Sequence, residues 1–294
     1  MLSILAVVLG LAVVYLGICG VLLVAVQQLP RRPVKERPDW GRVEDTVIRA
    51  VDGKRLELWR VFPDGPSRGV VVLAHGWGRN RDRMVGRARM FGRWGFTTVL
   101  HSARDHGGSD RKWFVNALRF AEDIESVLDW VGEPVILYGH SAGAGGAIIA
   151  ASRNRDRIRL LFLEGVYART REALLSLYTW VHPAFGRLFG PAVLWLMEAV
   201  YRGAMARYSP VRLAPRLPMP VMLIHGEHDQ RFPVAFAREL AAAFPTRQVT
   251  LHIAPGAGHS DSSTTPGYAP AVRRFLQERL AAEDLSASGA AHGR

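Results

Sequence analysis

The sequence predicts an α/β fold built on a mostly parallel, doubly wound sheet. Apolar runs rich in valine, leucine and isoleucine alternate along the chain with helical patterns. These runs are apolar throughout, which is typical of strands covered by helices on both faces. In such sheets, functional side chains collect at the carboxyl ends of the strands. The six runs are GVVVLAH, FTTVLHS, PVILYGH, RLLFLEG, PVMLIHG and QVTLHIA.

The remaining elements follow in order between residues 41 and 282, which we expect to form the main domain. TVIRAVDGKRLELWRVFP predicts a hairpin that turns at Asp52-Gly53. Helical patterns are present at 82–94, 113–131 and 234–244. Residues 166–217 interrupt the alternation with two or three apolar helices, which we interpret as a cap over the site. Residues 283–294 are expected to be a flexible tail.

The amino-terminal segment differs from everything that follows. Its first 26 residues contain no charged side chain. As a helix they would reach about 37 Å, more than the roughly 30 Å thickness of the bilayer hydrocarbon. We therefore predict a transmembrane anchor at 1–28, joined to the domain by an extended, proline-rich linker at 29–40. Because Arg31, Arg32, Lys35 and Arg37 follow the helix, the positive-inside rule predicts a single-pass protein of the cytoplasmic membrane with its domain in the cytoplasm.

Other partners and processing routes fit this sequence less well. A cleavable signal peptide would normally carry lysine or arginine before a shorter apolar region. Cys19 follows the bulky Ile18, where a lipoprotein site needs a small residue, so we expect a buried thiol. The net charge of +12 favours anionic lipid headgroups or acidic partners, or reflects a compositional preference for arginine. Patterns typical of nucleic-acid binding are missing from the sequence.

The motif Gly139-His140-Ser141-Ala142-Gly143 lies directly between a predicted strand and a predicted helix. This G-x-S-x-G pattern in that setting predicts a sharp turn that exposes a serine nucleophile. A serine hydroxyl needs a base to take its proton and an acid to orient that base. Asp229 follows PVMLIHG, and His259 follows the last strand, 30 residues later. Glu164, at the end of RLLFLEG, is a competing candidate for the acid, and Glu227 is a weaker one.

The order Ser141, Asp229, His259 resembles the α/β-hydrolase superfamily, similar to its serine aminopeptidase and esterase-like branch, over nearly all of residues 43–280. LAHGWG resembles the HG-x-G oxyanion loop of the family, which implies that the N–H groups of Trp77 and Ala142 bind the oxyanion. ARDHGGSD resembles the D-x-R-G-H-G-x-S turn of the family in altered order, so the role of residues 104–109 stays open. His75 is expected to fix the shape of the oxyanion loop, and His140 to pack or to form hydrogen bonds.

The resemblance implies an α/β-hydrolase fold with an inserted helical cap and an enzyme that cleaves an ester or thioester through an acyl-enzyme on Ser141, without a cofactor. An apolar cap and a membrane anchor favour a lipophilic acyl or lipid substrate. A serine aminopeptidase or an acyltransferase would use the same three residues. A non-catalytic membrane scaffold is the alternative from another class, although no member of the triad is missing. His225, His228 and Asp229 suggest a metal site, but no H-E-x-x-H or comparable motif accompanies them, so we expect no metal.

Overall fold

The computed structural model describes residues 2–28, 31–114, 116–246 and 248–291. Its strands form one sheet in the order β1-β2-β4-β3-β5-β6-β7-β8. β1 pairs with β2 and β2 with β4 in antiparallel fashion, whereas all the other neighbours are parallel, as the sequence predicts. The strands are β1 (Arg42–Arg49), β2 (Arg55–Phe62), β3 (Val70–Ala74), β4 (Thr97–His101), β5 (Val135–His140), β6 (Ile158–Glu164), β7 (Val221–Gly226) and β8 (Val249–Ala254).

Helices cover both faces of this sheet. Because successive strand residues point to opposite faces, Val72 of β3 packs in one core with α3, α4 and α10, while its neighbour Leu73 packs in a second core with α2 and α11. The helices are α1 (Leu2–Ala25), α2 (Val85–Arg93), α3 (Ala117–Val131), α4 (Ala142–Arg153), α5 (Thr170–Val181), α6 (Pro183–Leu188), α7 (Gly190–Val200), α8 (Ala204–Arg207), α9 (Pro210–Leu213), α10 (Val234–Ala243) and α11 (Tyr268–Ala291).

Three helix boundaries differ from those expected. The helix expected at 113–131 begins only at Ala117, because Trp113 has a positive φ of 74° and the side chain of Asn116 caps the first turn. The pattern at 82–94 divides into a 3₁₀ turn, Arg81–Met84, and α2. α11 continues through Ala291, so residues 283–291, expected as a tail, are helical. Residues 292–294 lie outside the described part.

The cap lies between β6 and β7 and contains α5 to α9. The expectation of two or three helices was wrong in number, since two further helices of four residues follow α7. Gly203, with a φ of 77°, precedes the first of these, and Pro210 opens the second. The longer helices α5, α6 and α7 contact one another and form the body of the cap.

The amino-terminal helix packs against the cap. Ser3–Ala25 is long and apolar enough to cross a membrane, and a narrow stripe of α1 contacts α7. Cys19 is fully buried in this contact. The linker expected at 29–40 has no regular secondary structure at 31–39, and residues 29–30 lie outside the described part. It is held to the domain, because Asn80 Nδ2 donates hydrogen bonds to the carbonyls of Arg32 and Pro33.

Candidate active site

Ser141 lies in the turn between β5 and α4. Its backbone has φ of 56° and ψ of −119°, a strained conformation for a residue with a side chain. A Cβ atom at Gly139 would collide with the backbone of Gly143 and Ala144, and one at Gly143 would collide with the carbonyl groups of Ala74 and His75. The two glycines of the motif therefore permit the tight turn that raises the serine above the sheet.

Loops after β7 and β8 bring two further side chains to this serine. His259 Nε2 lies 2.8 Å from Ser141 Oγ, and His259 Nδ1 lies 2.7 Å from Asp229 Oδ2. A carboxylate on Nδ1 fixes the tautomer that leaves Nε2 free to accept the hydroxyl proton. The three residues that the sequence singled out thus form one hydrogen-bonded line at the carboxyl edge of the sheet.

Asp229 is held by hydrogen bonds from two sides. Its Oδ1 accepts hydrogen bonds from the backbone N–H groups of Arg231 and Phe232, at 2.9 and 3.0 Å. Burial opposes ionisation of Asp229, but the hydrogen bond and charge of His259, together with the N–H group of Phe232, outweigh it and hold the pKa of the carboxyl below its usual value. His225 Nε2 lies 2.7 Å from the carbonyl oxygen of Phe232, which fixes the same loop. Asp229 is therefore an oriented anion beside the imidazole.

Glu164, the competing acid, has different partners. Its two oxygens accept hydrogen bonds from Arg87 Nε and Nη2, both at 2.5 Å, and Tyr138 Oη donates a third at 2.5 Å. Burial alone would raise its pKa, but the charges of Arg87 and His140 and the hydrogen bonds from Arg87 and Tyr138 together lower the pKa to about 2. Glu227, the weaker candidate, is exposed and accepts a hydrogen bond from Gly256 N. Of the three carboxylates, Asp229 is the one that bonds His259.

The loop after β3 carries Trp77, one of the two expected oxyanion donors, whereas the other, Ala142, begins α4 directly after Ser141. A Cβ atom at Gly76 would lie 3.0 Å from Ser141 Cβ, so the loop passes directly beside the serine. Among the described residues, the backbone N–H groups of Trp77 and Ala142 have no acceptor. Two free N–H groups next to a serine hydroxyl are the arrangement that stabilises the oxyanion of a tetrahedral intermediate.

Two buried histidines hold this loop in place. Ala103 N donates a hydrogen bond to His75 Nε2 at 3.0 Å, so His75 Nδ1 carries the proton and donates to the Gly76 carbonyl at 2.8 Å. Gly78 N donates to His106 Nε2 at 3.1 Å, and His106 Nδ1 donates to the Arg104 carbonyl at 2.9 Å. Burial lowers the pKa of both imidazoles, which keeps them neutral as these bonds require.

Comparisons with known proteins agree with this geometry. A family model described as serine aminopeptidase, S33, matches residues 65–204. The monoacylglycerol lipase of Mycolicibacterium smegmatis is 26% identical over 247 residues, which cover 71% of this chain and 87% of that protein. The chain has the α/β-hydrolase fold.

A further relative is similar in sequence, and two solved structures share the fold. A bifunctional esterase/perhydrolase of Acinetobacter calcoaceticus is 22% identical, with 59% of this chain and 79% of that protein covered. The Pyrococcus furiosus esterase Pf2001 superposes with a TM-score of 0.68 at 17% identity, covering 85% of this chain and 98% of that one. A proline iminopeptidase of Mycobacterium smegmatis superposes with a TM-score of 0.62 at 18% identity, covering 81% and 100%.

The turn at residues 104–109 has a structural role. Arg104 is fully buried and forms ion pairs with Asp123 at 2.5 Å, Glu122 at 2.6 Å and Asp52 at 2.8 Å. Ser109 Oγ donates to the carbonyl of Ser102 at 2.6 Å. These contacts tie the turn to α3 and to the hairpin.

A cavity of about 450 Å³ opens above Ser141. This volume lies within the usual range for small-molecule sites. Its walls come from α5, α7, α8, the start of α3 and the end of α1. None of the described lining residues carries a charged side chain. They include Trp77, Ser141, Ala142, Ile149, Tyr167, Ala173, Leu174, Leu177, Tyr178, Val181, Phe185, Met197, Met205, Tyr208 and Phe232.

Several site residues were not identified from the sequence. Phe232 packs edge-on against the His259 ring at 5.1 Å between ring centres, and Tyr167 packs against Phe232 at 5.4 Å. His106 carried no motif, although it binds the oxyanion loop. His140 was expected to pack or to form hydrogen bonds, and its Nε2 lies 3.2 Å from the His259 carbonyl. Phe232 follows Asp229 by three residues, which is the one signal that could have identified it.

The residues weighed as a metal site do not converge on one point. His228 is 71% exposed, whereas His225 is buried and bonds the Phe232 carbonyl. Within the described ranges, no group of three or more histidine, cysteine, aspartate or glutamate residues could hold an ion.

Proposed function

We propose that this chain is a membrane-anchored serine hydrolase that cleaves an ester or thioester of a lipophilic acyl group. The observation that carries the proposal is the hydrogen-bonded line from Ser141 through His259 to Asp229 at the floor of an apolar cavity. Esterase and lipase relatives support the same reaction class. We refer to this cavity as the acyl pocket.

Each residue has a defined part in the proposed reaction. Ser141 Oγ attacks the carbonyl carbon while His259 Nε2 takes the hydroxyl proton, and Asp229 stabilises the imidazolium that forms. The N–H groups of Trp77 and Ala142 bind the oxyanion, each worth roughly 2.7–4 kcal/mol. The tetrahedral intermediate expels the alcohol or thiol, which takes the proton from His259. Water, deprotonated by the same imidazole, then attacks the acyl-enzyme and releases the acid.

The character of the acyl pocket favours ester cleavage over aminopeptidase activity. An aminopeptidase must bind the charged α-amino group of its substrate, and a buried ammonium needs a paired carboxylate. None of the described lining residues is acidic or basic. A long apolar acyl chain, in contrast, gains free energy from burial against such walls. An acyltransferase would need the same triad, and an alcohol added to the assay would reveal it as a transfer product.

The membrane partner and the orientation also belong to this proposal. α1 has the length and composition of a transmembrane helix, and the four basic residues that follow it favour a cytoplasmic domain. Protease treatment of intact cells should then leave the domain uncut. Rapid digestion of the domain in intact cells would reverse the orientation.

A fluorophosphonate probe tests the proposed chemistry directly. The wild-type protein should react covalently at Ser141, and Ser141→Ala should not react. Ser152→Ala is a matched control, because Ser152 lies on α4 and its hydroxyl donates to the Ile149 carbonyl of the same helix. Equal labelling of the wild type and Ser141→Ala would overturn the assignment. A series of p-nitrophenyl esters should show higher kcat/KM for octanoate than for acetate, and the opposite preference would contradict a lipophilic substrate.

A further inference from the structure

The end of the amino-terminal helix lies in the wall of the acyl pocket. Ala25, Val26, Gln27 and Gln28 line the same cavity as Ser141. These residues come at the point where a membrane-spanning helix would leave the hydrocarbon. A segment that served only as a membrane anchor would not need to line the cavity that contains Ser141.

Specific contacts fix α1 against the cap. Tyr15 stacks on Phe189 with 5.7 Å between ring centres, and its hydroxyl donates to the Leu188 carbonyl at 2.5 Å. One turn further along, Cys19 is buried together with Val193 and Leu194 of α7. Only 11% of the apolar window of α1 is buried, so the rest of its surface remains apolar and outward-facing.

A polar pair, a buried glutamine and a half-buried tyrosine, closes the junction between the end of α1 and the cap. Gln27 is 5% exposed, and its Nε2 donates to the Leu23 carbonyl at 2.8 Å. Tyr201 Oη donates to Gln27 Oε1. Removal of α1 together with residues 26–28 would leave this tyrosine hydroxyl without its acceptor and would open one side of the pocket. A polar group that loses its partner in a partly buried place destabilises the packing around it.

We infer that α1 is retained in the working enzyme and forms one wall of the acyl pocket, so that it selects the substrate as well as anchoring the chain. This inference rests on the proposed ester hydrolysis. The outer surface of α1 continues into exposed apolar side chains of the cap, Leu188, Trp195 and Val200. The substrate class that fits is an acyl ester resident in the membrane, whose chain enters beside residues 25–28.

A pair of tryptophan substitutions, one near the end of α1 and one directly after it, tests this wall in the full-length protein. Val26→Trp places a bulky ring at a lining position, whereas Val24→Trp places the same ring on a residue that is 42% exposed and outside the lining. The measured quantity is the ratio of kcat/KM for p-nitrophenyl octanoate to that for the acetate. Val26→Trp should lower this ratio at least about tenfold by shortening the pocket, while Val24→Trp should stay within about twofold of wild type.

The outcomes separate this inference from the proposed function. Fluorophosphonate labelling of Val26→Trp at close to the wild-type rate shows that the variant is folded and that the serine is active. If such a labelled variant keeps the wild-type ratio of kcat/KM for octanoate to that for acetate, the proposed wall is wrong, while ester hydrolysis remains supported. An equal fall of this ratio in Val26→Trp and Val24→Trp also contradicts the proposed wall, because the effect would then not depend on whether the substituted residue lines the pocket. If the wild type neither labels nor hydrolyses acetate, ester hydrolysis itself fails.

A cross-linking measurement tests the docking in the membrane. Cys19 is the only cysteine of the chain, so one introduced cysteine gives a defined pair. Val193→Cys, which lies in the same buried cluster, should form an intramolecular disulfide under mild oxidation in membranes. Trp195→Cys is the control, because that position is 60% exposed. Cross-linking of Val193→Cys that does not exceed that of Trp195→Cys would overturn the docking.

Discussion

Replacing Glu164 by glutamine separates the structural carboxylate from the proposed catalytic one. Glu164 is fully buried, Arg87 is almost fully buried, and two hydrogen bonds of 2.5 Å join them. The glutamine keeps the size of the side chain but leaves the guanidinium charge without its counter-ion. Removing one partner of a buried pair costs about 3–5 kcal/mol, a large part of a total stability of about 5–15 kcal/mol.

Urea denaturation and probe labelling measure the two consequences. Glu164→Gln should have a lower midpoint with an unchanged m value, and under native conditions it should label with the fluorophosphonate within a few-fold of the wild-type rate. Asp229→Asn should show the reverse: near wild-type stability and a labelling rate lower by about 10⁴-fold, because the amide favours the wrong imidazole tautomer. Adding Arg87→Met to Glu164→Gln should restore part of the stability, since no unpaired charge remains.

The reasoning would be refuted by folded Glu164→Gln protein that has lost labelling while Asp229→Asn labels normally. That result would assign the acid role to Glu164. A Glu164→Gln variant with wild-type stability would instead refute the energetic account of the buried pair.

Three further predictions follow from the same contacts. Gly143→Ala should yield little folded protein, because its Cβ would meet the Ala74 and His75 carbonyls. The control Gly86→Ala on α2 adds a Cβ that meets nothing within 4 Å. In thermal melts of both variants, Gly86→Ala should unfold at the wild-type temperature. The pKa of Glu164 is about 2 in the folded state and about 4.3 in the unfolded chain. Ionisation of this side chain therefore stabilises the fold at pH values above about 4.3. This contribution is lost as the pH falls towards 2, so the wild type should lose more stability over this interval than Glu164→Gln does. His106→Phe should lower kcat by up to about 10²-fold, because the oxyanion loop loses the hydrogen-bond acceptor of Gly78 N. The fraction of the protein that the fluorophosphonate labels should change little. An unchanged kcat would show that this hydrogen bond does not position the loop.

Local patterns in the sequence determined the sheet, the tight turn at Ser141 and the three residues of the hydrogen-bonded line. A run such as PVILYGH can bury its apolar side chains on both faces only inside a sheet covered by helices. The glycines around Ser141 suit a turn that is too tight for side chains. The order of Ser141, Asp229 and His259 was readable because each follows a strand of one parallel sheet, whose carboxyl ends share an edge. Helix starts were less readable, since the positive φ of Trp113 depends on its surroundings.

Only the tertiary structure decided which polar groups have partners and which surfaces face each other. Asp229 follows one strand and Glu164 ends another, so the two look alike in the sequence. In the fold, Arg87, far away along the chain, pairs with Glu164, and Asp229 bonds His259. In the same way, the sequence shows α1 as an apolar helix of membrane length and nothing more. Its place in the pocket wall depends on packing between segments more than 150 residues apart. Pairing at such distances is a property of the folded chain, because neither partner carries a local pattern that identifies the other.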